Sequence, residues 1–157
     1  MDNNSKMNQL YKVADFCAAN RINYVLTGTL ALYILGIPST SLPKDIDILV
    51  LDPTESQLQT LSELQFLSGL DTEHDKYSRY CYSFLVEGVR VSAIVVDTED
   101  GDELPISIVT YLKNEETGKT HFVPVHLVHS ALKAKMKLGR DKDKTYMLNL
   151  INYLTDL

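Results

Sequence analysis

Two aspartates stand two residues apart in Lys44-Asp45-Ile46-Asp47-Ile48-Leu49-Val50-Leu51, at the mouth of an apolar run. In a strand, residues i and i+2 project to the same face. Asp45 and Asp47 would then lie side by side on a strand otherwise suited to a core. Like charges held that close repel and push their pKa values apart. A divalent cation between them relieves the repulsion, and Mg²⁺ is commonly held by one or two carboxylates together with substrate phosphates. The pair is a candidate metal site for phosphoryl or nucleotidyl chemistry. It also fits a polar strand edge just after a turn.

A second segment lies upstream. Asn23 to Thr27 reads as a short strand, Gly28-Thr29 as a turn, and Leu30 to Leu35 as an apolar helix. A glycine at a strand-to-helix turn lets the backbone approach a ligand closely. The helix start beyond it offers N–H groups to a phosphate, and Thr29 adds a hydroxyl.

With these two segments the chain resembles the nucleotidyltransferase superfamily of the DNA polymerase β-like fold. That family carries Gly followed by Gly or Ser, and after a short helix and loop an Asp-x-Asp or Asp-x-Glu pair. Gly28-Thr29 and Asp45-Ile46-Asp47 match those positions. The sequence looks most like small bacterial members, such as the abortive-infection and type IV toxin–antitoxin nucleotidyltransferases. Lys135-Met136-Lys137-Leu138-Gly139-Arg140-Asp141-Lys142-Asp143 is similar to a late basic stretch of those proteins. The resemblance implies an α/β (α+β) fold, a minimal nucleotidyltransferase-like mixed sheet flanked by helices, over a single domain of residues 1–157. It implies Mg²⁺ or Mn²⁺ on Asp45 and Asp47 as catalytic carboxylates. It further implies a nucleoside triphosphate bound by Gly28, Thr29, Lys44, Ser92, Lys135 and Arg140, and a nucleotidyl group passed to a hydroxyl of protein or RNA.

One position departs from the family pattern. Its third carboxylate belongs on a later strand, and in Val89-Arg90-Val91-Ser92-Ala93-Ile94-Val95-Val96 that place holds Ser92. Asp97 comes five residues later, roughly 16 Å along an extended strand and on the opposite face. Glu87 has the same parity problem. Two carboxylates can hold one metal–nucleotide, while the third usually serves a second ion or the acceptor. A non-catalytic member acting as a binding or toxin–antitoxin partner is therefore the competing expectation. Arg90 shares parity with Ser92, and is either a phosphate contact or a sheet-surface charge.

The surrounding elements must position these residues. Leu10, Val13, Ala14 and Cys17 recur at helical spacing and predict a helix over 5–20. Strands follow at 23–27 and 45–51. Asp52-Pro53-Thr54-Glu55 reads as a helix start with Asp52 as its cap. Leu58, Leu61, Leu64 and Leu67 would face the sheet, and Gly69 would end the helix. Tyr77–Val86 and Val89–Val96 predict a hairpin about Glu87-Gly88. A second hairpin is expected from 106–112 and 120–125, then helices at 126–138 and 142–155. The acidic run Asp97 to Glu103 reads as a solvated loop. His121, His126 and His129 lack zinc-ligand spacing with Cys or acids.

The length of 157 residues suits one domain with a sizeable core. A net charge of −6 and a pI near 5.1 argue against nonspecific nucleic-acid binding as the main activity. No apolar stretch is long enough to span a bilayer, and the polar N-terminal residues lack a signal-peptide core. With Cys17 and Cys81 read as reduced thiols, the expected location is the cytoplasm, without a membrane partner.

Overall fold

The computed structural model describes residues 3–37, 45–70, 81–138 and 144–155. Six strands form one mixed sheet: β1 Tyr24–Thr27, β2 Ile46–Leu51, β3 Cys81–Val86, β4 Val89–Val96, β5 Ser107–Lys113 and β6 Thr120–His126. Five helices are described: α1 Asn3–Ala19, α2 Gly28–Ile34, α3 Glu55–Ser68, α4 Val128–Leu138 and α5 Lys144–Thr155. The architecture is α+β. The strand order is β3-β4-β2-β1-β6-β5. β2 runs parallel to β4 and β1 parallel to β6, whereas β1–β2, β3–β4 and β5–β6 are antiparallel.

Period-two alternation sets the core. Ile46, Ile48 and Val50 of β2 are buried, and Asp47, Leu49 and Leu51 between them are half-buried. The buried set joins Leu26, Val91, Ala93, Phe84, Val123 and Val125 from the neighbouring strands. Leu10, Val13, Ala14 and Cys17 of α1 and Leu61 of α3 close over it. A second apolar cluster ties α2 to α4 and α5 through Leu32, Val128, Ala131 and Leu150.

Two details of α3 correct the expected pattern. The N-cap is Thr54, not Asp52: its hydroxyl accepts from Gln57 N–H, and the Gln57 side chain accepts in return from Thr54 N–H. This is the Thr-x-x-Gln capping box. Asp52 instead takes a positive φ of 40° and binds Thr98 beyond β4 through its carboxylate. Leu67 is 78 % exposed rather than facing the sheet. At about 100° per residue, Leu67 lies roughly 120° around the helix from the buried Leu61, while Gln65 and Ser68 stay near the buried side. Those two side chains accept hydrogen bonds from Ser83 N–H and Leu85 N–H. They satisfy backbone donors along the edge strand β3, a standard need of sheet edges.

Gly69 ends α3 at φ 62°, and Glu87 and Gly88 turn the β3–β4 hairpin, both at positive φ. Two consecutive positive-φ residues fit the twist of a tight hairpin. None of the described helices is long and apolar enough to cross a membrane.

Candidate active site

The site grows from one row of residues that crosses the sheet. Residues directly paired across neighbouring strands share a face. Ser83 of β3 pairs with Ser92 of β4, Ser92 with Asp47 of β2, and Asp47 with Thr27 of β1. The next strand continues the row: Leu26 pairs with Val125, and the Thr27 hydroxyl lies 3.1 Å from His126 Nδ1. A line of polar side chains thus runs across five strands, on the face opposite the core formed by Ile46, Ile48 and Val91.

Gly28 follows Thr27 directly and opens α2. Its φ of 75° is a conformation that side chains with Cβ seldom adopt. A Cβ placed there would lie 2.5 Å from Asp47 Oδ2 and 3.3 Å from Asp47 Cγ. Asp47 therefore stands directly against the turn, in space that only a glycine leaves open. Thr29 is the second residue of α2 and is half-buried. Thr27 is the N-cap residue of α2, but its side chain makes no capping hydrogen bond; its hydroxyl engages His126.

Asp45 lies one residue before β2. Its Oδ2 is 3.6 Å from Nε of Arg90, two residues before Ser92 on the same face of β4. The two side chains are 32 % and 40 % exposed, at the rim of the face rather than sealed within it. The Arg90 Nε atom itself is buried and has no hydrogen-bond partner.

His126 is 3 % exposed, and its Nε2 lies 2.9 Å from the hydroxyl of Ser130 on α4. Ser130 Oγ accepts from Ile106 N–H. The imidazole thus links β1, where the Gly-Thr turn begins, to α4.

The structure brings together Gly28, Thr29, Asp45, Asp47 and Ser92. Lys44 and Arg140 lie outside the described residues. Lys135 is on α4, one turn beyond Ala131, which packs with α2; its side chain lies outside the described set. Asp97 follows the far end of β4, and its carboxylate accepts from Glu99 N–H. Glu87 sits in the hairpin turn. Neither acid joins the row. Among the described residues, no group of three or more His, Cys, Asp or Glu side chains could hold a metal ion.

Thr27, Ser83 and His126 are members of the row that no local sequence pattern singles out. His121 is also buried but serves the other face: it stacks on Tyr11 at 4.5 Å and lies 3.5 Å from Asp15. The signal that separates the two histidines is parity along β6, combined with knowing which strand lies beside it.

No protein-family model matches the chain, and no curated protein matches it. Among solved structures, it is similar to a crystal structure from Thermotoga maritima provisionally named a nucleotidyltransferase. The identity is 19 % and the TM-score 0.54, over 98 % of this chain and 96 % of that one. A likeness of this kind, nearly end to end, establishes a shared nucleotidyltransferase-like fold.

Proposed function

We propose that the protein binds a nucleoside triphosphate with Mg²⁺ or Mn²⁺ on Asp45 and Asp47 and transfers a nucleotidyl group to a hydroxyl of protein or RNA. One observation carries this reading. The Gly28 turn is held against the Asp47 carboxylate so tightly that a single Cβ would fill the space. A backbone able to approach phosphate and a carboxylate able to approach its metal share one position. The donor set fits an ion that keeps water and phosphate oxygens as its remaining ligands. When bound, such an ion neutralises charge on the phosphate oxygens. Gly28 and Thr29 would cradle the phosphates, and Lys44, Lys135 and Arg140 would supply positive charge to them. In the transfer, the acceptor oxygen would bond the α-phosphorus as the bond to the departing pyrophosphate breaks, with the hydroxyl proton passing to water.

The test is calorimetric titration of ATP, GTP, CTP and UTP with Mg²⁺ or Mn²⁺, using the Asp45→Asn/Asp47→Asn double variant as control. Metal-dependent binding by the wild type and none by the variant is expected. Equal binding by both would remove the assignment.

Ser92 favours a second reading, a nucleotidyltransferase-fold protein that binds but does not transfer, acting as a partner in a toxin–antitoxin or other complex. The residue paired with Asp47 on β4 is a serine, and the next across is Ser83. Among the described residues, the β4 and β3 positions of the row hold serines and no acid. Ser92→Asp restores one. A rise in nucleotidyl transfer from that variant, measured with labelled triphosphate, would identify the missing carboxylate as the defect. No rise would remove this explanation of Ser92.

A further inference from the structure

We infer that Arg90 serves as a built-in counter-cation for Asp45, so that the site takes a single divalent ion with its nucleotide and Arg90 holds an anionic oxygen of the phosphates. The inference rests on the metal–nucleotide reading above and specifies its stoichiometry.

Three observations lead to it. The β2–β4 register places Arg90 and Ser92 on the face of Asp47, with Arg90 beside the strand entry where Asp45 stands. The guanidinium Nε is 3.6 Å from Asp45 Oδ2, close enough for charge pairing but outside hydrogen-bond distance. That same Nε is out of contact with water and has no acceptor. A dehydrated donor without an acceptor is unfavourable. Held toward Asp45 by that pairing, the side chain is still 40 % exposed, so its outer part can meet an oxygen arriving at the rim of the site, and guanidinium groups match phosphate oxygens well.

The charges on the described residues of this face agree: Asp45 and Asp47 contribute two negative charges and Arg90 one positive charge. A face with a third carboxylate at position 92 would attract a second divalent ion. This face has a hydroxyl there and a fixed cation two residues earlier. The divalent ion and Arg90 both interact with Asp45, so in the absence of nucleotide they compete. Once the triphosphate is bound, Arg90 has a phosphate oxygen to pair with, and the competition becomes cooperation.

The two roles predict opposite effects of one substitution. Mn²⁺ is titrated without nucleotide, with free ion followed by electron paramagnetic resonance. Arg90→Gln should bind Mn²⁺ roughly two- to fivefold more tightly than wild type, the scale of a partly exposed ion pair. The same variant should bind the non-hydrolysable triphosphate more weakly in the presence of Mn²⁺. Arg90→Lys keeps the charge and should keep the wild-type Mn²⁺ affinity. The wild type should hold one Mn²⁺ per chain in the ternary complex.

Two Mn²⁺ per wild-type chain would overturn the inference, and that measurement needs no variant. So would unchanged Mn²⁺ affinity in a folded Arg90→Gln, as judged by circular dichroism. If Asp45→Asn/Asp47→Asn abolishes Mn²⁺ binding while Arg90→Gln leaves it unaltered, the metal site stands and the role of Arg90 falls. If neither wild type nor Arg90→Gln binds Mn²⁺ at all, both readings fall together.

Discussion

The two faces of the sheet contrast within a single strand. On one face of β2, Ile46, Ile48 and Val50 are sealed beneath α1 and α3, none more than 1 % exposed. On the other, Asp47 pairs with Ser92 and Thr27 and stands against Gly28. The backbone hydrogen bonds of β2 serve both faces equally. The difference lies in what each side chain loses on burial. The apolar face gains free energy as area leaves water, about 25 cal/mol per Å². On the Asp47 face Leu49 and Leu51 are only half-buried, and the polar groups of the row gain nothing comparable and must each be satisfied by pairing. Stability should therefore reside mainly on the first face and ligand binding on the second, and substitutions should separate them.

The largest expected effect is on the apolar face. Ile48→Ala removes a side chain that is 1 % exposed and should cost about 2–5 kcal/mol of stability, read as a lowered urea midpoint. Asp47→Asn should change stability by less than about 1 kcal/mol, because the residue is half-buried and polar in both forms, yet abolish metal-dependent nucleotide binding. An Asp47→Asn protein as unstable as Ile48→Ala would break the division between faces.

Alkaline titration probes the same division without a substitution in the sheet. Burial pushes the Cys17 thiol up to about 12 from an ordinary value of 9.0, and burial likewise raises Tyr24. A raised folded-state pKa means that the native protein retains a proton the unfolded chain releases. The associated stability is complete below pH 9 and is lost as pH rises toward 12. If the whole difference is realised, Cys17 accounts for about 4 kcal/mol at the upper end. Urea midpoints should hold from pH 8 to about pH 9 and fall from there to pH 11. Cys17→Ala should flatten part of that slope, and an unchanged slope would show that Cys17 does not govern it.

Where the two faces meet at the turn, glycine can be tested by an internal control. Gly28 and Gly36 have nearly equal φ values of 75° and 77°. A Cβ at Gly36 would meet nothing within 4 Å, whereas one at Gly28 would meet the Asp47 carboxylate. Both alanine variants should lose about 1 kcal/mol from backbone strain. Gly28→Ala should lose about 1–2 kcal/mol more and weaken Mg²⁺–nucleotide binding at least tenfold, with Gly36→Ala binding as wild type. Equal behaviour of the two variants would mean that the close approach at Asp47 has no consequence.

What could be read from sequence follows the distance over which each feature is determined. The alternation of Ile46, Ile48 and Val50, the Glu87-Gly88 turn and the Gly69 stop are local, and over the described residues the expected elements agree with the observed ones to within a few residues; residues 77–80 of the expected first hairpin strand and residues 142–143 of the expected last helix lie outside them. The Gly28 turn and the Asp pair are equally local, and the fold brings them together. Asp52-Pro53 is a strong helix-start signal, but the Thr54/Gln57 capping box competes for the same helix and prevails. A three-residue spacing puts Leu67 on the sheet, but that spacing drifts around a helix of 3.6 residues per turn. The polar row was illegible for a different reason. Thr27 and His126 are 99 residues apart, and no local pattern announces that β6 runs parallel beside β1. The Asp45–Arg90 pair likewise depends on the β2–β4 register, which emerges only when the sheet assembles.

The smallest expected effect tests whether that long-range row serves structure or binding. Thr27→Val preserves shape on β1 and removes only the hydroxyl that meets His126 Nδ1 at 3.1 Å. His126 keeps its contact with Ser130 on the other ring nitrogen, so the ring stays oriented from α4. A buried hydrogen bond lost in this way costs about 1 kcal/mol, and Thr27→Ser should recover most of it. Thr27 also immediately precedes Gly28, so a shift of β1 would reach the turn that backs onto Asp47. If the hydroxyl serves only to satisfy His126, urea unfolding should register the loss while Mg²⁺–nucleotide affinity stays within about twofold. A tenfold loss of affinity at undiminished stability would place Thr27 and His126 with the binding face in function as well as in position. The row would then act as one device that holds the Gly-Thr turn in place from across the sheet.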